Sequence, residues 1–269
     1  MANSLKIKSR ASSSLDLRLS TFRISGVEIV MLSVTKLYRL LNNYLDKLII
    51  PEPQCVLCTS VSQEAICRDC YHALVKLPLQ SRCPRCLWAL PPKEIACSNC
   101  KEHQFQFERI IASYSYAFPL DKVLQQLKYH EKIEYTTALS QLFWSAIAPH
   151  LTKLPDAIIP VPLHHKKHKI RGFNQVHELL REFHQLNPQV PILNITRHKE
   201  TQPQATLNRL QRAHNLANAF EITADLRGKH IALVDDVVTT GTTVNELAKL
   251  CKQQGAAQVD VWCLMRALE

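Results

Sequence analysis

The sequence predicts an α/β protein: a parallel sheet with flanking helices, preceded by a small metal-binding module. Three observations lead there. From about residue 105, short apolar runs alternate with amphipathic helical segments, the pattern of strands joined by helical crossovers. Between residues 51 and 104 lie four Cys-x-x-Cys pairs among several prolines. And the run IALVDDVVTTGTT, residues 231–243, leaves an apolar strand through two carboxylates into a hydroxyl-rich, glycine-centred turn.

The elements follow in chain order. Residues 1–30 are rich in Ser, Lys and Arg and poor in large apolar side chains, so disorder is expected. The stretch has the look of an organellar transit peptide, and Met31 as the true start is the alternative reading. Residues 31–50 place Leu37, Leu40, Leu41, Tyr44, Leu45 and Leu48 on one helical stripe, which predicts a helix packed on the next module.

The module at 51–104 follows. Its pairs are Cys55/Cys58, Cys67/Cys70, Cys83/Cys86 and Cys97/Cys100. Two such knuckles complete a tetrahedral four-thiolate site, the closed structural type for zinc, so eight ligands predict two structural Zn2+ ions. Iron–sulfur clusters take the same ligands and stay the alternative. Sequential and interleaved partnering of the pairs are both open. Ten cysteines in a chain of this length, without a secretory signal, point to metal thiolates in a reducing cytosol and hence to a cytoplasmic protein. Cys251 and Cys263 lie on apolar faces and are read as core.

Residues 105–269 form the main domain. FERIIASYSYAF reads as strand, PLDKVLQQLKYH and TTALSQLFWSAIAPHL as helices, and DAIIPVP as a buried strand. NQVHELLREFHQL is a helix, KHIALVDDV a strand, TVNELAKLCKQQG a helix stopped by Gly255, and AQVDVWCLMRA the last strand. No uncharged apolar run is long enough to predict a membrane-spanning helix. The formal net charge of +10 favours anionic partners without choosing among phosphorylated metabolites, nucleic acid and acidic membrane.

The turn after the strand carries the chemistry. Ligands of parallel sheets bind at the carboxyl ends of the strands. Backbone N–H groups of Thr239, Thr240, Gly241, Thr242 and Thr243, with the following helix N-terminus, make an anion cradle, and the threonine hydroxyls add donors. Asp235 and Asp236 can accept hydrogen bonds from a pair of sugar hydroxyls or attract Mg2+ through water. A phosphate cradle beside a diol-binding carboxylate pair describes a ribose 5-phosphate site.

These residues closely resemble the phosphoribosyl-pyrophosphate (PRPP) motif of type I phosphoribosyltransferases. The resemblance implies that Asp235 and Asp236 hold the ribose hydroxyls and that Val237, Val238 and Thr239 to Thr243 lead into and wrap the 5-phosphate. Over roughly residues 51–269 the chain resembles the ComF/GntX family of competence-associated proteins, which join a double zinc ribbon to a phosphoribosyltransferase domain. The shared stretches are the four Cys pairs and LKYH around Lys128. They also include IIPVPLHHKKHKIRGFNQ with Arg171, Gly172, Asn174 and Gln175, and QATLNRLQRAHNLANAF with Gln204, Arg212 and Asn215.

The resemblance gives the other loops roles. HHKKHKIRGFN is where a pyrophosphate loop sits, with Arg171 and its basic neighbours neutralising leaving-group charge. RHKETQPQATLNRLQRAHN is the hinged flap, whose Gln204, Arg209 and Arg212 reach substrate on closure. Lys128 points at the same crevice. Three functions follow as expectations. One is an enzyme that takes PRPP with Mg2+ and transfers the phosphoribosyl group. Another is a factor in DNA uptake that contacts single-stranded DNA and DNA-processing proteins, as the family implies. The third is a non-catalytic sensor of PRPP or another sugar phosphate.

Overall fold

The structure is a computed structural model of the chain. It describes residues 20–24, 27–31, 52–92, 94, 96–130, 134–163, 171–197 and 220–267. The chain divides into two compact bodies, Met1–Glu52 and Pro53–Glu269.

In the first body, β1 (Ser20–Ile24) and β2 (Val27–Met31) pair antiparallel, Ser20 opposite Met31 and Ile24 opposite Val27. They fall in a stretch whose composition predicts disorder. Locally, STFRI and VEIVM are short runs with β-branched residues, which favour strand. The helix expected over 31–50 lies outside the described residues, apart from Met31 at the end of β2.

The second body is built on a parallel sheet. β3 (Arg109–Ile111) and β4 (Tyr114–Ser115) both pair with β9 (Gln258–Arg266). β9 pairs with β8 (His230–Val238), and β8 with β5 (Ala157–Pro160). The order is therefore β3/β4–β9–β8–β5, all parallel. The strand expected over residues 107–118 is split, because β4 resumes the pairing on β9 after a break at Ala112 and Ser113.

Strand residues alternate between two cores, as the two-residue side-chain period requires. Ile158, Ala232, Val234, Trp262 and Leu264 face one layer. That layer contains α3 (Leu120–His130), α4 (Glu134–Ile147), α5 (Gln175–Leu179) and α6 (Arg181–Leu186). Its apolar contacts include Leu124, Leu127, Leu139, Phe143, Leu179 and Phe183. The helix expected over 174–186 is thus two helices, broken at Leu180, where ψ opens to −3°. Ile159, Ile231, Leu233, Val261 and Cys263 face the opposite layer, which includes α7 (Thr242–Gln253), Leu77 and Leu87 of the cysteine segment, and Phe105 and Phe107 just after it.

The cysteine segment repeats itself. Gln54 bridges Val61 and Arg82 bridges Ala89. Thr59 and Leu87, each four residues after the first cysteine of its pair, take positive φ and return an N–H to that cysteine's carbonyl. Two short helices, α1 (Arg68–Ala73) and α2 (Ser98–His103), carry the partner pairs. Finally, β6 (Thr196–Arg197) pairs antiparallel with β7 (Phe220–Glu221), closing the base of the polar excursion whose intervening residues lie outside the described ones.

Candidate functional site

The residues expected to hold a sugar phosphate assemble at the carboxyl end of β8, where open α/β sheets bind ligands. Four apolar residues, Ile231 to Val234, bury the strand completely, and the next two positions are Asp235 and Asp236. Asp236 is only 4% exposed. One of its oxygens, Oδ2, receives both Lys128 Nζ of α3 at 2.8 Å and Gln175 Nε2 of α5 at 2.5 Å. Gln175 in turn accepts from Arg171 Nη1 at 3.1 Å. A buried carboxylate persists only when paired and hydrogen-bonded in this way. Asp235 is half-buried, and its Oδ1 accepts from the Asp236 amide at 2.9 Å.

The strand then turns into α7 through Thr239 to Gly241. Gly241 has φ +83°, a left-handed conformation that favours glycine, and the Phe105 ring lies in ordinary contact range, 3.4 Å from where a Cβ would sit. Thr240 and Thr242 hydroxyls lie 2.9 Å apart, and the Thr242 amide donates to Thr240 Oγ1 at 3.4 Å. A cleft of about 360 Å3 opens over this turn, lined by Lys128, both aspartates and every residue from Val237 to Thr243. Of the residues predicted for this site, these are the ones brought together in one cleft.

The others take different places. Arg171 is 6% exposed and reaches Asp236 through Gln175 rather than lining the cleft. Gly172 has φ +71°. Asn174 caps α5: its Oδ1 accepts from the Val176 amide at 3.1 Å, and its Nδ2 donates to the Val161 carbonyl at 3.2 Å. Gln204, Arg209, Arg212 and Asn215 lie outside the described residues, as do the basic residues at 164–170. Tyr116, Val244 and Ala267 also line the cleft and escaped the sequence reading. Only the proximity of Val244 to the glycine turn signals any of them.

The cysteines gather sequentially: Cys55, Cys58, Cys67 and Cys70 in one group, Cys83, Cys86, Cys97 and Cys100 in the other. This resolves the partnering that the sequence left open. A tetrahedral site with Zn–S bonds of ~2.3 Å sets its sulfurs ~3.8 Å apart. Cys58 and Cys67 are 3.7 Å apart, Cys83 and Cys100 3.7 Å, and Cys86 and Cys97 3.6 Å, so both groups fit structural zinc. Supporting donors surround them: Asn99 Nδ2 lies 3.5 Å from Cys86 Sγ, and the Cys67 amide 3.3 Å from Cys55 Sγ. Within the first group a hydrogen bond with Ser60 draws the Cys58 thiol down to about 6, while burial and the neighbouring sulfurs push the Cys70 thiol up. Cys251 and Cys263 are wholly buried, and burial pushes both thiols up to about 12, as inert core groups.

Residues 171–269 match the phosphoribosyl transferase domain family. With the parallel sheet and two four-cysteine groups ahead of it, the fold and site define a phosphoribosyltransferase-like protein carrying an N-terminal double zinc-ribbon segment. The chain is 38% identical over 191 residues to the DNA utilization protein YhgH of Escherichia coli (strain K12), covering 69% of this chain and 84% of that protein. It is 31% identical over 226 residues to Competence protein F of Haemophilus influenzae, covering 80% of this chain and 97% of that protein. Among solved structures, a purine phosphoribosyltransferase from Pyrococcus horikoshii Ot3 aligns over 49% of this chain and 72% of its own, at 19% identity and a TM-score of 0.30. The chain belongs to the ComF/GntX family of competence protein F-like proteins. No helix among the described residues is long and apolar enough to cross a membrane.

Proposed function

We propose that the cleft binds PRPP with Mg2+ and that the protein acts in the handling of incoming DNA. The observation that carries the first part is the single cleft shared by Asp235, Asp236 and the turn from Thr239 to Thr243. The turn offers backbone and hydroxyl donors to a 5-phosphate. Asp235 is the more open carboxylate and is the one that accepts from the ribose hydroxyls first. Asp236 has Oδ2 occupied by Lys128 and Gln175, so its role is to fix the floor of the site and offer Oδ1. Mg2+ bound with the pyrophosphate supplies charge neutralisation at the leaving group. Arg171, through Gln175, holds Asp236 in orientation. The second part rests on the names of the relatives, a competence protein and DNA utilization proteins, together with the net charge of +10.

If an acceptor nucleophile enters the cleft, the reaction is phosphoribosyl transfer with release of pyrophosphate, driven mainly by electrostatic stabilisation. Without one, the site is a sensor of PRPP or a related sugar phosphate. The test is calorimetric titration of the zinc-loaded protein with PRPP and Mg2+, beside Asp235→Asn/Asp236→Asn. Mg2+-dependent binding lost in the double variant is expected. Absence of binding to the native protein overturns the PRPP reading. Pyrophosphate release in an acceptor screen separates turnover from sensing, and a steep loss of single-stranded DNA affinity with salt marks direct phosphate contacts.

A further inference from the structure

The second cysteine group and the phosphate turn share one scaffold. Arg266, the last residue of β9, has no solvent exposure. Its Nη1 donates to the carbonyls of Val238 at 2.8 Å, of Ala267 at 2.9 Å and of Thr239. Its Nε donates to the carbonyl of Cys86 at 3.3 Å. One guanidinium therefore joins the Cys83–Cys86 knuckle to the first residues of the turn. Two further contacts run in parallel. Phe105 lies against Gly241 and stacks between His103 and Phe107, at 5.0 and 4.7 Å. The Gln106 amide donates to Asn245 Oδ1 at 2.7 Å, in the first turn of α7. Arg85, which sits inside the knuckle, donates from Nη2 to the Phe105 carbonyl at 2.5 Å and from Nε to the Phe107 carbonyl at 2.9 Å. The first cysteine group belongs to the other face of the sheet, where Ile66 and Leu74 pack with Ile111 and Tyr114.

We propose that Arg266 is a positioning residue that makes the second four-cysteine group part of the phosphate-binding turn, so that metal at Cys83, Cys86, Cys97 and Cys100 sets sugar-phosphate affinity. The choice of ligand rests on the PRPP reading above; the coupling does not. In a planar trans peptide the carbonyl and the next N–H point in opposite directions. Holding the Thr239 carbonyl towards the guanidinium therefore aims the Thr240 amide the other way, on the side that Thr240 and Gly241 line. The guanidinium has a fixed fork, so its aim at Thr239 depends on where Cys86 holds Nε. Metal held across the four sulfurs of the group would fix the knuckle in turn.

The experiment follows amide hydrogen exchange at residues 239–243 of the full, zinc-loaded chain, with β9 amides as the internal reference. Cys97→Ser, in the second group, is expected to speed exchange in the turn about tenfold and weaken PRPP about tenfold, the worth of one charge-assisted hydrogen bond. Cys67→Ser, in the first group, loses a metal ion too but changes the turn far less. Arg266→Met reproduces the second-group effect with zinc retained. Arg266→Lys recovers part of it, since a point charge reaches fewer carbonyls than the fork. Should the Arg266 variants fail to fold, stepwise chelation of the native protein decides the matter: exchange in the turn rises with loss of the second-group metal. Equal loosening by both cysteine variants overturns the proposal, as does a turn that stays protected after the second-group metal has gone. Turn and β9 loosening together marks general destabilisation and also overturns it. If the native protein does not bind PRPP, the ligand reading fails while the exchange arms still decide the coupling.

Discussion

Lys128 and Asp236 meet at 2.8 Å on the wall of the cleft, and Gln175 donates to the same carboxylate oxygen. At that separation and an effective dielectric of ~20, the gross attraction is about 6 kcal/mol. Desolvation takes most of it back, because Asp236 is buried and the Lys128 side chain is 18% exposed. A net coupling of about 2 kcal/mol remains, within the usual span for a contacting pair. The perturbation is a double-mutant cycle of Lys128→Met and Asp236→Asn. Lys128→Met leaves a buried carboxylate with Gln175 as its remaining donor among these two and costs about 3 kcal/mol. Asp236→Asn keeps an acceptor but strands the lysine, which can partly rehydrate, and costs about 2 kcal/mol. The double variant costs about 3 kcal/mol, because the second change no longer breaks a pair. Equilibrium urea unfolding at neutral pH with saturating zinc measures all four proteins, compared at equal denaturant slope. Costs that add to within ~0.5 kcal/mol would refute the reasoning and make Lys128 a solvated helix end.

Gly241→Ala forces an alanine into φ +83°, costing ~1–2 kcal/mol in unfolding experiments, while the Phe105 contact at 3.4 Å adds little. Metal analysis is expected to find two zinc ions per chain, and a strong chelator to lower the melting temperature sharply, since metal binding to such sites is folding free energy. Asp260 gives a pH signature. Burial pushes its carboxyl up, but bonds from His230, Gln258 and Arg109 outweigh this and hold it below the ordinary range. The folded state thus binds the proton less well than the unfolded chain, so the stabilisation is present above the unfolded value of ~3.9 and is lost as pH falls below it. Asp260→Asn should therefore show a deficit of about 2 kcal/mol at neutral pH that narrows below about pH 4, less than for a fully buried pair because Arg109 is a third exposed.

What the sequence makes legible here is whatever repeats with a period or concentrates rare residue types. The apolar runs in IALV and AIIP announce strands because a sheet covered on both faces needs them apolar throughout. The DDVVTTGTT turn stands out because carboxylates, hydroxyls and glycine follow a buried strand without a break. The eight paired cysteines stand out by spacing. The unread parts depend on contacts between distant segments. Arg266 offers one signal, a cation that ends the mostly apolar strand VDVWCLMR, but nothing says which carbonyls it would hold. The Arg171–Gln175–Asp236–Lys128 chain joins three separate elements and has no local signature. The break at Leu180 is likewise set by packing: the Glu182 amide bonds to Ser140 of α4 at 2.6 Å, and Arg181 to Thr136 at 3.2 Å.

The two faces of the sheet explain why the cysteine segment belongs to the same body as the site. A parallel sheet must be covered on both sides. Four helices do this on one face. On the other, α7 provides Val244, Leu247, Ala248 and Cys251, and Leu77, Leu87, Phe105 and Phe107 are among the residues that complete the layer. These side chains hang on turns with little helix of their own, so their positions are not held by a hydrogen-bonded ladder. Four thiolates on one ion would supply that rigidity instead. Cys83 and Cys86 are themselves within this core, which places a cross-link directly beneath the strand ends. A helix could have covered the same apolar area. A knuckle adds backbone carbonyls at fixed positions, and one of them, at Cys86, is what Arg266 uses to reach the turn at Thr239.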